Sequence, residues 1–136
     1  MFTSTNTILV SQVMMTLELV PVVDESIIFK EALEEMGKKT LGILCIVNSH
    51  MKLRGILTDG DIRRMLLCVQ KPFSAFFVDD ALVHAVKSPL TVLPSDTLVN
   101  VVRLMDKKRI WDLPVVDESG VLVGLLHLHP AVEALL

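Results

Sequence analysis

Apolar and polar positions follow one another in the same order twice along this chain. In the first half an apolar run, LVPVV (19–23), precedes SIIFKEALEEM (26–36). There Ile28, Ala32 and Met36 fall four apart, which predicts an amphipathic helix. Two strand-like runs come next, LGILCIV (41–47) and KLRGILT (52–58), with Asn48-Ser49-His50 as the hairpin turn. DIRRMLLCV (61–69) then predicts a short closing helix. In the second half LTVL (90–93) precedes SDTLVNVVRLM (95–105), with Leu98, Val101, Val102 and Met105 on one face behind the candidate caps Ser95 and Asp96. DLPVV (112–116) turns at Asp117–Gly120 into VLVGLLHL (121–128), and PAVEALL (130–136) closes the series.

A shift of 69 residues superimposes the halves without a gap: Val23 falls on Val92, Met36 on Met105, Lys39 on Lys108, Leu44 on Leu113, Val47 on Val116 and Gly55 on Gly124. The chain is a tandem duplication of a βαββα unit. The expected fold class is α/β (α+β). Residues 1–9 form a tail, 10–67 the first repeat, 68–79 a linker marked by Pro72 and a charge change, and 80–136 the second repeat. One three-stranded sheet with two helices buries too little alone. Two copies packed face to face make a pseudo-two-fold module with two related clefts between the halves.

Composition narrows the partners. Of 136 residues, 51% are hydrophobic and the mean hydropathy is +0.57, yet no apolar run reaches the roughly 18 residues of a membrane helix. The opening MFTSTNTILV lacks the basic start and long apolar core of a signal peptide, so a cytoplasmic location is expected. The surplus hydrophobicity points to self-association. A net charge of −3 argues against nucleic acid, and one tryptophan with no tyrosine leaves few stacking platforms for bases. Cys45 and Cys68 lie in apolar surroundings and read as buried, reduced thiols.

Against this background GILTDGDIRRML (55–66) stands out. Thr58-x-x-Asp61 fits a capping box, each side chain satisfying a backbone N–H of the other. The same residues fit a ligand site. An Asp carboxylate accepts two hydrogen bonds from the vicinal hydroxyls of a ribose, Thr58 and the helix N-terminus face a phosphate, and Arg63 or Arg64 supplies the countercharge.

The duplicated pattern, with V-x-x-V-M at Val10–Met14, LPVVD at Leu113–Asp117 and G-x-x-T-x-x-D at Gly55–Asp61, resembles a pair of CBS domains (a Bateman module) over essentially the whole chain. It is most similar to the C-terminal CBS pair of bacterial arabinose-5-phosphate isomerases. Their first repeat carries a G-I-x-T-D-G-D-x-R-R run like Gly55–Arg64, and their second ends in G-x-L-H-x-H, as Gly124–His129 does here. Those enzymes supply arabinose 5-phosphate for Kdo in lipopolysaccharide or capsule. Their catalytic residues lie in a sugar-isomerase (SIS) domain that nothing in this chain resembles, so no catalytic residue is assigned. The resemblance implies a regulatory module with no resident cofactor. It would bind a nucleotide or nucleotide-sugar, with AMP, ATP or CMP-Kdo as candidates, and would partner an SIS domain and a second CBS pair.

The copies differ where chemistry is expected. The shift of 69 turns Thr58 into His127 and Asp61 into Pro130, so the second copy lacks the ribose-binding carboxylate. His127 and His129, two apart on an extended strand, point to one side; without a third ligand they make a poor metal site and read as lining or contact residues. The Lys38-Lys39 and Lys107-Lys108-Arg109 clusters at the helix exits either complement the helix dipole or contact phosphate, with Lys39 and Arg109 the candidates for the second role. Trp111 covers a base or fills a core edge. His50 and His84 have no partner readable from sequence. Two functions remain open: a ligand-sensing regulatory module, or a structural oligomerisation module in which Thr58 and Asp61 only cap a helix.

Overall fold

The computed structural model describes residues 7–136 and divides into two compact units. A continuous unit comprises Glu18–Pro89, and a split unit joins the residues through Leu17 to Leu90–Leu136. The continuous unit holds β1 (Val22–Asp24), α1 (Phe29–Lys39), β2 (Ile43–Val47), β3 (Leu53–Thr58), α2 (Asp59–Cys68), α3 (Phe73–Phe76) and α4 (Ala81–His84). The split unit holds α5 (Leu98–Lys108), β4 (Asp112–Val116), β5 (Leu122–His127) and α6 (Leu128–Leu135). In the continuous unit β1 is parallel to β2, and β2 is antiparallel to β3. In the split unit β4 and β5 are antiparallel, and Val92 bridges Val115 in the parallel sense, where Val23 pairs with Ile46 in the other copy.

The duplication is visible at the level of single residues. Moving each boundary by 69 converts α1 into α5, β2 into β4 and β3 into β5. The β-bulge at Ile46/Val47 recurs at Val115/Val116, and the left-handed C-cap Thr40 recurs at Arg109. In both hairpins one side chain organises the turn: Asn48 Oδ1 accepts the His50 and Lys52 N–H groups, and Asp117 Oδ1 accepts those of Ser119 and Val121. The two cores correspond as well, with a trade of volume. Phe29 and Ala32 fill one helix face, while Leu98 and Val101 fill the other; a large-small pair becomes two medium side chains.

Both helices begin three residues after the serine that opens each expected segment, at Phe29 after Ser26 and at Leu98 after Ser95, and backbone carbonyls meet their first N–H groups. Phe29 N–H donates to Asp79 O at 2.7 Å and Lys30 N–H to Phe77 O at 3.1 Å. Leu98 N–H donates to Ile8 O at 2.8 Å. These backbone carbonyls satisfy helix N–H groups that would otherwise need side-chain caps. The expectation for Ser95 and Asp96 is corrected accordingly: no side chain caps α5, and Asp96 Oδ2 accepts the Leu93 N–H at 2.8 Å. The stretch 68–79 carries α3 and places Phe76 wholly inside the core of the continuous unit.

Each sheet is extended by the opening segment of the other repeat. Met15 exchanges two hydrogen bonds with Leu125 of β5, and Val86 exchanges two with Ile56 of β3. A glycine lies at each crossing. A Cβ on Gly124 would lie 2.8 Å from Met15 O, and one on Gly55 would lie 3.0 Å from Val86 O.

Candidate functional site

β3 runs directly into α2 at Thr58, whose backbone is still extended. Thr58 Oγ1 accepts the Asp61 N–H at 3.1 Å and donates to Asp61 Oδ2 at 2.8 Å. The expected reciprocal box is therefore half formed: the Asp61 carboxylate takes the Thr58 hydroxyl, while Thr58 itself remains paired with Ile43 in the ladder. Arg64, one helical turn on, donates from Nη2 to Asp61 Oδ1 at 2.5 Å. Thr58, Asp61 and Arg64 thus form one connected cluster at the head of α2. Arg63 is exposed and has no hydrogen bond or ion pair among the described residues. Asp59 N–H donates to Gly42 O at 3.0 Å, and its carboxylate lies so close over Gly42 that a Cβ there would be 2.7 Å away.

The corresponding turn of the second repeat keeps the backbone and changes the chemistry. Leu128 N–H donates to Trp111 O at 2.9 Å, the counterpart of the Asp59–Gly42 bond. His127 Nδ1 lies 2.7 Å from Asp112 Oδ1, its cross-strand neighbour. Asp112 occupies the place of Ile43, so a histidine–aspartate pair replaces a threonine–isoleucine pair. The two histidines do not share a strand face. β5 ends at His127, and His129 lies in the first turn of α6, where it reaches Glu133 Oε1 at 3.2 Å on the exposed surface. The change from a two-residue to a 3.6-residue period separates them. Pro130 sits in that first turn, where its missing N–H costs no helical hydrogen bond.

Other candidates are distributed as follows. Lys39 donates from Nζ to Glu18 O at 2.6 Å, and Arg109 is an exposed, left-handed C-cap of α5. Trp111 is 69% exposed, so the expectation that it fills a core edge is corrected; its backbone, not its ring, is what the turn uses. Cys45 is buried in β2 as expected, whereas Cys68 is exposed at the end of α2. His84, unpartnered in the sequence reading, belongs to a cluster at α4. Its Nε2 lies 2.8 Å from Asp79 Oδ2, which also receives Lys71 Nζ at 2.6 Å, and its ring packs edge-on against Phe29. The Lys71 hydrogen bond, followed by that of His84, holds the Asp79 carboxyl below the usual carboxylate range. Asp79 and Asp112 are the residues the sequence reading missed.

Among the described residues no group of three His, Cys, Asp or Glu side chains converges as a metal site, and no helix is long and apolar enough to cross a membrane.

The chain is similar to arabinose 5-phosphate isomerase KdsD of Yersinia pestis, with 30% identity over 125 residues, covering 92% of this chain and 37% of the relative. KdsD of Salmonella typhi is 32% identical over 127 residues, with the same coverage. An uncharacterised Helicobacter pylori protein is 33% identical over 115 residues, 83% of this chain and 33% of that protein. The chain therefore spans about a third of the length of the curated relatives it matches. Among solved structures, CBSX2 of Arabidopsis thaliana in complex with AMP superimposes with a TM-score of 0.81 at 28% identity, covering 93% of this chain and 94% of that one. The CBS-domain pair of MJ0100, in complex with 5′-methylthioadenosine and S-adenosyl-L-methionine, gives a TM-score of 0.72 at 25% identity, covering 93% and 98%. A family model for the CBS domain matches twice, at residues 10–68 and 78–129. With most of its length in those two matches, the chain belongs to the CBS-domain family and is a CBS-domain pair.

Proposed function

We propose that this CBS pair is a regulatory module that binds an adenosine nucleotide at the Thr58–Asp61 turn. Through that ligand it adjusts the activity of an SIS domain in an arabinose-5-phosphate isomerase. The observation that carries the reading is the Asp61 carboxylate, held at the head of α2 by the Thr58 hydroxyl with a guanidinium beside it. A carboxylate fixed in this way accepts paired ribose hydroxyls, and a cation one helical turn away offers a phosphate its countercharge. The AMP complex of CBSX2 supports the ligand class, and the likeness to KdsD supports the parent enzyme. A ligand of this kind regulates only if its affinity differs between two arrangements of the protein.

Removing the carboxylate forfeits hydrogen bonds to a charged group, worth about 1.5–3 kcal/mol, or roughly ten- to a hundredfold in affinity. Calorimetric titration with AMP, ATP, CMP and CMP-Kdo, on the wild type and Asp61→Ala, tests this. AMP binding that weakens in Asp61→Ala supports the assignment, and equal binding by both proteins removes Asp61 from it.

A second reading has its own observation. Leu66, Leu67, Val69, Phe73, Phe77 and Val78 are all exposed on the continuous unit. Apolar surface of this kind suits a scaffold that pairs with a second CBS pair and binds nothing. A melting temperature that does not respond to any nucleotide, together with a concentration-dependent dimer, favours that reading.

A further inference from the structure

We propose that two copies of this chain pair crosswise, α1 of one copy against α5 of the other, an inference that rests on the self-association reading and is independent of ligand binding. In each repeat two helices cover a common core, α1 with α2 and α5 with α6, and each helix also carries an exposed outer side. At the end of the closing helix both copies leave the same apolar position exposed, Leu67 in the first and its counterpart Leu136 in the second. At the middle of the long helix both copies are charged, with opposite sign. Glu34 and Arg103 are counterparts under the shift of 69, each the sixth residue of its helix, and both are exposed. Their surroundings differ in the same sense. With its cap, α1 carries three carboxylates (Glu31, Glu34, Glu35) and three cations (Lys30, Lys38, Lys39); with its cap, α5 carries Asp106 against Arg103, Lys107, Lys108 and Arg109. Glu34 has only the exposed Lys30 as an ion-pair partner, at 3.7 Å, and Arg103 has none among the described residues.

A closed dimer of such a duplicated chain either joins like surfaces or exchanges them. Helices that cross about a two-fold axis, or a near two-fold between similar helices, bring their midpoints together. Joined alike, Glu34 meets Glu34 of the partner subunit and Arg103 meets Arg103 of the partner subunit, two repulsive contacts. Exchanged, Glu34 meets Arg103 of the partner subunit, and the symmetry makes that contact twice. One exposed ion pair is worth up to about fivefold in affinity. Two pairs, gained in one arrangement and replaced by repulsion in the other, separate the two by on the order of tenfold to a hundredfold. Apolar contact drives the pairing, and charge selects its direction.

The experiment is sedimentation equilibrium of the 136-residue chain at low ionic strength, for wild type, Glu34→Arg, Arg103→Glu and the double variant. Glu118→Arg, on the β4–β5 turn, repeats the change in net charge away from both helices, and thermal melts show that each variant is folded. The wild type is a dimer, each single swap raises its dissociation constant by about tenfold or more, and the double variant returns to within about threefold of the wild type. Glu118→Arg stays near the wild type. Should a swap lower the melting temperature, Glu34→Gln and Arg103→Gln read the same loss in the same direction at about half its size. A dimer that ignores the single changes, that loses as much to Glu118→Arg, or that the double swap fails to restore overturns the crosswise arrangement while self-association stands. A monomeric wild type defeats the self-association reading instead, and this inference with it.

Discussion

Substitution of Gly124 by alanine tests the crossing of the chain that builds the split unit. The added Cβ would stand 2.8 Å from the Met15 carbonyl oxygen and 2.8 Å from Met14 Sδ. The thioether can swing aside, but the carbonyl cannot do so cheaply. To reach ordinary contact it must retreat to about 3.4 Å, and the same oxygen accepts the Leu125 N–H at 3.1 Å. That bond stretches out of range, at about 1 kcal/mol, and overpacking adds about 1–3 kcal/mol. Alanine returns about 0.4–1 kcal/mol by restricting the unfolded chain. The expected net loss is about 1–3 kcal/mol, read as a lower urea midpoint at unchanged slope. Gly37, inside α1 with nothing within 4 Å of its virtual Cβ, is the control; Gly37→Ala gains about 0.5–1 kcal/mol from helix propensity. If Gly124→Ala proves as stable as the wild type, Met14–Met15 does not lie against β5 and the described crossing is wrong.

Two further outcomes follow from single side chains. Arg109 holds a left-handed φ of 56°, which costs a non-glycine residue about 1–2 kcal/mol, so Arg109→Gly stabilises by about 0.5–1 kcal/mol after the greater freedom of the unfolded chain is counted. A lower denaturation midpoint would contradict this, and AMP titration of the same variant checks the phosphate contact proposed for Arg109. Asp79, held below its ordinary value of 3.8 chiefly by Lys71 and then by His84, stabilises the fold above that value and loses this contribution as pH falls through its folded pKa. The gap in denaturation midpoint between wild type and Asp79→Asn therefore narrows below about pH 4; a gap that persists unchanged to pH 3 would contradict the assignment.

The repeat, the order of elements and the core faces were legible because Val, Ile, Leu and Met recur at fixed intervals, and apolar burial reads those intervals directly. Val23 and Val92, Met36 and Met105, and Leu44 and Leu113 all ended in the cores where the shift of 69 put them. The caps were not legible. Asp79 O and Ile8 O reach the heads of α1 and α5 as backbone atoms, and a carbonyl carries no residue identity. The His127–Asp112 pair was hidden by one residue of register. Counted from Val116 and Leu122 without the bulge, Asp112 faces Leu126; the bulge at Val115/Val116 moves it opposite His127. At the Thr58–Asp61 turn the participants were legible and their wiring was not. Spacing brings Thr58, Asp61 and Arg64 to one helix end, but only coordinates show the carboxylate bonded to the hydroxyl and the guanidinium.

In the proposed reading the first repeat's acidic turn binds a nucleotide, and the second repeat's turn, lacking that carboxylate, is not its equal. Ligand stoichiometry addresses this most directly: AMP titrated by calorimetry into the wild type, Asp61→Ala and His127→Ala. One AMP per chain is expected in the wild type, sharply weakened by Asp61→Ala and retained in His127→Ala. Two equivalent AMP molecules per chain, or one whose affinity depends on His127 and not on Asp61, would contradict it.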